Sequence, residues 1–148
     1  MKAHYLGHVV FYVKDLERSL GFYRDLVGFK EVGRIFNGAA AALTSGRTHH
    51  ELLLIQVGDV PGPPVGRRRG LYHIGIKVGD SLDELRQAKR ELEDAGIQIE
   101  GMSDHTVSQS LYLKDPDGNE VELYVDADES TWKRDPAAVV SPIKPLHL

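Results

Sequence analysis

The 148-residue sequence predicts an α+β fold built from two βαβββ modules. Three observations favour this fold. The order of strands and helix occurs twice along the chain, a Pro- and Gly-rich segment separates the two copies, and histidines and glutamates fall at equivalent places in both. We expect one domain over residues 1–128, with modules at about 4–60 and 70–126, and a C-terminal tail over residues 129–148.

The first module opens with GHVVFYV at residues 7–13, a β-branched and aromatic run that is typical of a strand. Asp15 follows as a candidate helix N-cap, and the next apolar residues recur at helical spacing until Gly28. The turn signals NG and SGR then separate three expected strands, at residues 29–36, 39–44 and 51–57.

The second module repeats this order. Residues 72–78 predict a strand, Asp80 or Ser81 is expected to cap a helix, and Gly96 is expected to end it. Three further strands are expected at residues 97–102, 108–114 and 120–125, the last two joined by the turn DPDGN.

Two segments lie outside the modules. The joint VPGPPVGRRRG at residues 60–70 is too rich in proline and glycine for regular structure. The segment after Asp128 shows no clear period, so we expect an extended tail.

Composition restricts the classes of function. The chain has no cysteine, so any metal must be held by histidine and carboxylate. Its 18 basic and 22 acidic residues give a net charge of −4, which disfavours a nucleic-acid partner. No apolar run approaches the roughly 18 residues of a membrane span, and the N-terminus lacks a signal-peptide pattern. We therefore expect a cytoplasmic protein without a membrane partner.

Two histidines occupy matching positions on the opening strands of the modules, His8 and His73. Either one alone would more often be a hydrogen-bonded core residue, but two at equivalent positions of pseudo-symmetric copies indicate a shared site. Glu122 lies in a strand between apolar residues, where a carboxylate is costly unless it is paired or metal-bound. Two imidazoles and one carboxylate suit Fe(II), and the same donors also accept Mn(II) or Zn(II). Glu120 is interpreted as structural.

The sequence resembles the vicinal oxygen chelate superfamily, which includes glyoxalases, bleomycin-resistance proteins and type I extradiol dioxygenases. The resemblance covers about residues 4–126 and rests on the paired modules and on the segments GHVVFYVKDLERSLGFYRDLVGF, YHIGIKV and SLYLKDPDGNEVELY. It implies a curved mixed sheet around a metal-binding hollow, with His8, His73 and Glu122 as the metal ligands.

Among members of the superfamily, the sequence is most similar to the ring-cleaving dioxygenases. The segment THHELLL resembles a His-Asp segment of those enzymes, which implies an acid–base role for His50. Tyr112 and His105 fall where such enzymes place a substrate-binding tyrosine and a further histidine. Strict alternation, however, places His49 rather than His50 on the face of Leu53. Tyr112 is alternatively an ordinary strand tyrosine, and His105 an exposed histidine.

The resemblance implies an Fe(II)-dependent extradiol dioxygenase, similar to catechol 2,3-dioxygenases, that opens the ring of a small aromatic diol with dioxygen. Laying the last strands of the two modules over each other places Leu53 opposite Glu122, which disfavours the four-ligand site of glyoxalase I. A slip of register would instead offer Glu51 or Gln56 as a fourth ligand.

Two alternative functions remain open at this point. One is another metalloenzyme of the superfamily, either a fosfomycin-type thiol transferase or a glyoxalase-like lyase. The other is a metal-free drug-binding protein of the bleomycin-resistance type.

Because two-module members often pair, we expect a homodimer or a higher homo-oligomer, in which His8 completes a site in its own chain or in another.

Overall fold

The computed structural model describes residues 1–148 and divides them into two compact units, Met1–Pro63 and Pro64–Leu148. The first unit contains β1 (Val9–Val13), α1 (Leu16–Leu20), a π-helical segment (Gly21–Leu26), β2 (Lys30–Ile35), β3 (Ala40–Thr44) and β4 (Leu52–Gln56). The second unit contains β5 (His73–Gly79), α2 (Leu82–Asp94), β6 (Ile99–Asp104), β7 (Ser108–Lys114), β8 (Glu120–Asp126), α3 (Ser130–Arg134), a 3₁₀ turn (Pro136–Val140) and β9 (Lys144–Pro145).

The two units share one sheet topology. The strand order is β1-β4-β3-β2 in the first unit and β5-β8-β7-β6-β9 in the second. In each unit the first strand pairs in parallel with the last strand of the module, and the other module strands pair antiparallel. This confirms the predicted α+β fold of two βαβββ modules.

Alternation along the strands gives each sheet one face that packs against a helix. In the second unit β8 turns Val121, Leu123 and Val125 to the buried face, where α2 adds Leu85 and Leu92. The alternate residues of β8, including Glu122, lie half-buried on the opposite face. Because the apolar residues of β8 face the core, its polar residues lie on the opposite face, where they are accessible to a ligand.

The strand register aligns the two modules residue by residue. Gly75 of β5 pairs with Glu122 of β8, and Val10 of β1 pairs with Leu53 of β4. Gly75 follows His73 by two positions, as Val10 follows His8. Leu53 therefore holds in the first unit the position that Glu122 holds in the second, as the sequence comparison predicted.

The turn between β7 and β8 is fixed by a buried carboxylate. Asp115 is 4% exposed and accepts hydrogen bonds from the N–H groups of Asp117 and Asn119, at 2.9 and 2.8 Å, and from the side-chain amide of Asn119 at 2.9 Å. Gly118 has φ +86°, a left-handed conformation that glycine adopts without strain. This turn sets the register that places Tyr112 beside Glu122.

The first helix differs in detail from its prediction. Asp15 caps it as expected, because its carboxylate accepts the N–H of Arg18 at 2.8 Å. The helix then widens into a π-helical segment, and the N–H of Val27 donates to the carbonyl of Phe22. Gly28, at φ +96°, follows its end.

The C-terminal segment is not the extended tail that the sequence predicted. Asp128 accepts the N–H of Ser130 just before α3, and Asp135 accepts the N–H of Ala137 at the start of the 3₁₀ turn. The short strand β9 then pairs with β6. Helical elements of five residues are too short to reveal a period, so capping side chains were the available signal. None of the helices combines the length and the apolar character of a membrane span.

Candidate active site

Four predicted site residues come together on the polar face of the second sheet. His73 Nε2 lies 3.1 Å from Glu122 Oε2, and the Tyr112 hydroxyl donates to Glu122 Oε1 at 3.0 Å. His105, which directly follows β6, places Nε2 2.7 Å from the Tyr112 hydroxyl. Glu122 thus contacts His73 and Tyr112 directly, and Tyr112 links it to His105.

The direction of these hydrogen bonds follows from the donors available. An ionised carboxylate only accepts, so the single hydroxyl proton of Tyr112 is directed to Glu122. The phenol oxygen is then free to accept, and His105 Nε2 is the donor of the 2.7 Å contact. This assigns His105 the tautomer with its proton on Nε2.

Burial raises the pKa of Tyr112, and the negative charge of Glu122 together with the hydrogen bond to that carboxylate raises it further. Tyr112 is therefore a neutral phenol at physiological pH. It can donate a hydrogen bond to an oxygen atom, but it is not a base in this environment.

The other ring nitrogen of His73 is buried without a hydrogen-bond partner. Glu120 is the nearest carboxylate, with Oε1 3.9 Å from Nδ1. Burial opposes ionisation of Glu120, but hydrogen bonds from Lys114 and Tyr72 lower its pKa below the usual range. The Lys114 ion pair, at 2.9 Å, is in keeping with the structural role expected of Glu120. Sequence reasoning missed Tyr72, although its place next to His73 was visible.

The contact between His73 and Glu122 offers one nitrogen and one oxygen donor of the kind that Fe(II), Mn(II) and Zn(II) accept. Gly75 pairs with Glu122 across the strands, and a Cβ at this position would make ordinary van der Waals contacts, 3.6 Å from Glu122 Oε2 and 3.5 Å from Cε1 of Tyr124. The donor types therefore fit a divalent metal.

In the first unit, His50 lies against His8, with ring centroids 4.5 Å apart. His49 is exposed and places its Nδ1 2.6 Å from Nδ1 of His50. Burial lowers the pKa of His50, and the charges of His49 and His8 lower it further. The half-buried His50, rather than His49, therefore contacts the predicted ligand of this unit, and its imidazole is neutral near pH 7.

Glu51 and Gln56, the alternative fourth ligands, both make local hydrogen bonds and do not point to a metal site. Glu51 accepts the N–H and the hydroxyl of Ser45 at 2.9 and 2.7 Å and the hydroxyl of Thr44 at 2.9 Å, so it belongs to the connection between β3 and β4. Gln56 accepts the N–H of Leu16 at 2.9 Å at the start of α1. Both side chains are used in local structure.

The predicted site residues are divided between the units. His8 and His50 lie in the first unit, whereas His73, His105, Tyr112 and Glu122 lie in the second. No three histidine, cysteine, aspartate or glutamate side chains form a group that could hold a metal ion. The structure thus brings together two of the three predicted ligands, and the three-ligand set stays a prediction.

A model of the glyoxalase/bleomycin resistance protein/dioxygenase superfamily matches residues 5–123. The chain belongs to this superfamily. The match confirms the resemblance that the paired modules and the DPDGN turn indicated, and it covers both modules of the superfamily domain.

Individual relatives differ in what their names state. The chain is 38% identical over 131 residues to a catechol-2,3-dioxygenase of Bacillus subtilis, covering 88% of this chain and 45% of that protein. It is 31% identical to a probable trivalent organoarsenical cleaving enzyme of the same organism, covering 86% of this chain and 85% of that protein. The chain spans about half the length of most of the curated dioxygenases it matches.

Solved structures agree on the fold. A glyoxalase/dioxygenase from Nostoc punctiforme superposes with a TM-score of 0.73 at 18% identity, covering 84% of this chain and 92% of that one. At this identity the likeness extends to the fold of the superfamily domain and no further.

Proposed function

We propose that the chain is an Fe(II)-dependent extradiol dioxygenase that opens the ring of a catechol-type diol. The observation that carries the proposal is the hydrogen-bonded series from His105 through Tyr112 to Glu122, with His73 on the same carboxylate. Of these four residues, only His73 and Glu122 would be ligands in a metal site of two histidines and one carboxylate. The other two, Tyr112 and His105, would supply a hydrogen bond to an oxygen of the bound diol.

His8, His73 and Glu122 are the proposed metal ligands, for Fe(II) or alternatively Mn(II). Such a metal would supply Lewis-acid binding of the diol and activation of dioxygen. His73 and Glu122 already lie in contact, and a metal held by these two residues would replace that contact. Leu53 offers no fourth donor at the position equivalent to Glu122.

Tyr112 and His50 have separate proposed roles. Tyr112 would donate a hydrogen bond to a substrate oxygen, with His105 donating in turn to the Tyr112 oxygen and holding it in place. His50, with its lowered pKa, is the neutral imidazole that would accept a proton from the diol and later return one to the product.

Cysteine content argues against the activity named for the organoarsenical-cleaving relative. Trivalent arsenic favours soft thiolate ligands, and this chain has no cysteine to supply them. The chain offers imidazole nitrogens and carboxylate oxygens instead, which are ligands that suit iron.

The proposal is tested by loading the protein with Fe(II) without oxygen, adding simple catechols and then admitting oxygen. A yellow ring-fission product is expected. If bound iron reaches one per chain and a panel of diols gives no product, the proposal is wrong.

Two variants of β8 form a matched pair for the metal site. Glu122→Gln should lose iron, whereas Glu120→Gln, two positions away on the same face, should keep it at full stoichiometry. Equal iron contents in the two variants would remove Glu122 from the ligand set.

A further inference from the structure

We propose that Glu120 is a positioning residue of the metal site, which accepts a hydrogen bond from Nδ1–H of His73 when Nε2 of the same ring binds the metal. This inference rests on the proposed function and deepens its metal site. Glu120 would not touch the metal or the diol. It would act through His73, one of the proposed ligands.

The strand register places Glu120 beside His73. β8 lies between β5 and β7 in the sheet, and Glu120 pairs with His73 of β5 on one side and with Lys114 of β7 on the other. Glu122 is the next residue of β8 on the same face. The His73 ring therefore lies between two carboxylates, with Nε2 3.1 Å from Glu122 Oε2 and Nδ1 3.9 Å from Glu120 Oε1.

Metal binding decides which nitrogen of His73 carries the proton. A neutral imidazole has one N–H, and only the nitrogen without the proton can bind a metal. Nε2 lies beside Glu122, the proposed carboxylate ligand, so binding at Nε2 leaves the proton on Nδ1. Nδ1 is buried and has no hydrogen-bond partner, and a buried N–H without an acceptor is costly. A metal-bound His73 therefore needs an acceptor beside Nδ1.

Glu120 is the carboxylate that can supply this acceptor. The separation of 3.9 Å is about 1 Å longer than an ordinary hydrogen bond, so a small turn of the ring or of the carboxylate closes it. The Lys114 ammonium donates to the other oxygen, Oε2, at 2.9 Å. The ion pair with Lys114 and the proposed hydrogen bond to His73 therefore use different atoms of one carboxylate.

Two tyrosine rings restrict the rotation of His73. The ring of Tyr72 lies 4.7 Å from that of His73 between centroids, and its hydroxyl donates to Glu120. The ring of Tyr112 meets that of His73 edge-on at 5.9 Å. A rotation that turned Nδ1 away from Glu120 would have to displace these neighbours. The packing thus keeps Nδ1 directed to the carboxylate before any metal binds.

The Zn(II) affinity of three variants, measured by competition with a chelator, tests the proposal. Glu120→Leu removes the acceptor, and loss of such a partner weakens metal binding by about 10- to 100-fold. Glu120→Gln removes the charge but keeps an acceptor oxygen, so its affinity should stay within about threefold of the wild type. Glu100→Leu is the control, because Glu100 is 44% exposed and lies 3.8 Å from the same Lys114 ammonium. It should change the affinity by no more than about twofold.

Nitrogen NMR of the Zn(II)-loaded wild type reports the hydrogen bond without any substitution. We expect His73 to carry its proton on Nδ1, with an N–H resonance at low field that exchanges slowly with water, because the acceptor is charged. Glu120→Gln should move this resonance to higher field, since the amide oxygen is a neutral acceptor. A change that only loosened the sheet would not produce this pattern.

Several results would overturn the proposal. An affinity of Glu120→Leu within about threefold of the wild type would show that no acceptor is needed. Equal losses in Glu120→Leu and Glu120→Gln would show that the carboxylate acts by its charge alone, and an equal loss in Glu100→Leu would transfer the effect to Lys114. A wild type that binds no Zn(II), or a His73 N–H that exchanges freely with water, would also contradict it.

The same measurements distinguish this inference from the proposed function, because Zn(II) binding requires neither dioxygen nor a diol. The expected order of affinities, without any ring-fission product from the Fe(II)-loaded protein, would contradict the dioxygenase and support the role of Glu120. Ring fission of catechol, with equal metal affinities in Glu120→Leu and the wild type, would support the dioxygenase and contradict that role.

Discussion

Tyr112 joins two of the groups on the second sheet, because its hydroxyl donates to Glu122 and accepts from His105. Tyr112→Phe removes this hydroxyl and little volume. A hydrogen bond between a phenol and a charged oxygen contributes about 1.5–3 kcal/mol, so we expect kcat/KM for catechol to fall by about 10- to 100-fold while iron content is unchanged.

Steady-state oxygen uptake and iron analysis of the same samples check this expectation. Tyr12→Phe is the control, since Tyr12 is a 71% exposed tyrosine of β1 in the other unit. Full activity of Tyr112→Phe would show that the hydroxyl is only a structural link.

The adjacent histidines of the first unit make a second matched pair. His50→Ala should keep iron and lower kcat by about 10²- to 10⁴-fold, the range expected for loss of a general acid–base group. His49→Ala should have little effect, because His49 is exposed and contacts His50 rather than His8. Rapid mixing of the diol complex with oxygen measures both variants, and the reverse order of effects would transfer the role to His49.

At the scale of residues, alternation was informative within a strand and uninformative at its end. Glu122 and Tyr112 each lie inside a regular strand and alternate with buried apolar neighbours, as the sequence pattern indicated. His49 and His50 precede β4, and strict alternation placed His49 on the face of Leu53, whereas the ring that lies against His8 is that of His50. The unpartnered Nδ1 of His73 depends on packing and had no sequence signal.

Among the elements, the β7–β8 turn places Tyr112 and Glu122 opposite each other. Asp115→Ala would leave two N–H groups and one amide without their acceptor, and we expect the free energy of unfolding to fall by about 1–3 kcal/mol. Urea unfolding measures the change. Asp83→Ala is the control, since that side chain is 90% exposed and its loss should change stability by no more than about 0.5 kcal/mol.

The β3–β4 connection predicts a pH dependence. Burial favours the neutral form of Glu51, but hydrogen bonds from Ser45 and Thr44 outweigh it and lower the pKa below the ordinary value of 4.5. A carboxyl whose pKa is lower in the folded state stabilises the fold above its unfolded pKa, and this stabilisation is lost as the pH falls through the folded pKa.

We therefore expect the wild type to lose more stability than Glu51→Gln as the pH falls below about 4.5, where the unfolded carboxyl begins to take up a proton. Unfolding midpoints in urea at several pH values compare the two proteins. Parallel losses would show that the hydrogen bonds to Glu51 do not distinguish its ionised form.

The eight strands of the two modules and their two helices were predictable because they combine a period with a stop signal. Ser108–Lys114 has the bounds expected from the sequence, and the N-cap of α2 is Ser81, one of the two residues proposed. The C-terminal segment was not predictable in this way. Its elements have five residues or fewer, and α3 carries no buried residue that would impose a pattern.

On the scale of the whole molecule, a ligand that binds only the folded state raises stability by mass action. Metal at about 100 times its dissociation constant adds about 2.7 kcal/mol, and for a chain of this size that corresponds to a rise in Tm of about 5–10 °C. We expect Mn(II), which avoids oxidation, to raise Tm in calorimetric scans and a chelator to reverse the rise. Glu122→Gln should show no shift, and an unchanged wild-type Tm would contradict a specific site.

Leu53 in the place equivalent to Glu122 has a consequence for electroneutrality. A strictly repeated chain would offer two carboxylates, and a divalent metal held by both would carry no residual charge. With leucine in one copy and two neutral imidazoles as the other proposed donors, a bound divalent metal keeps one positive charge. Under the proposed function, that charge would be balanced by a diol that has lost a single proton, so the departure of one residue from the repeat would set the ionisation state of the bound substrate.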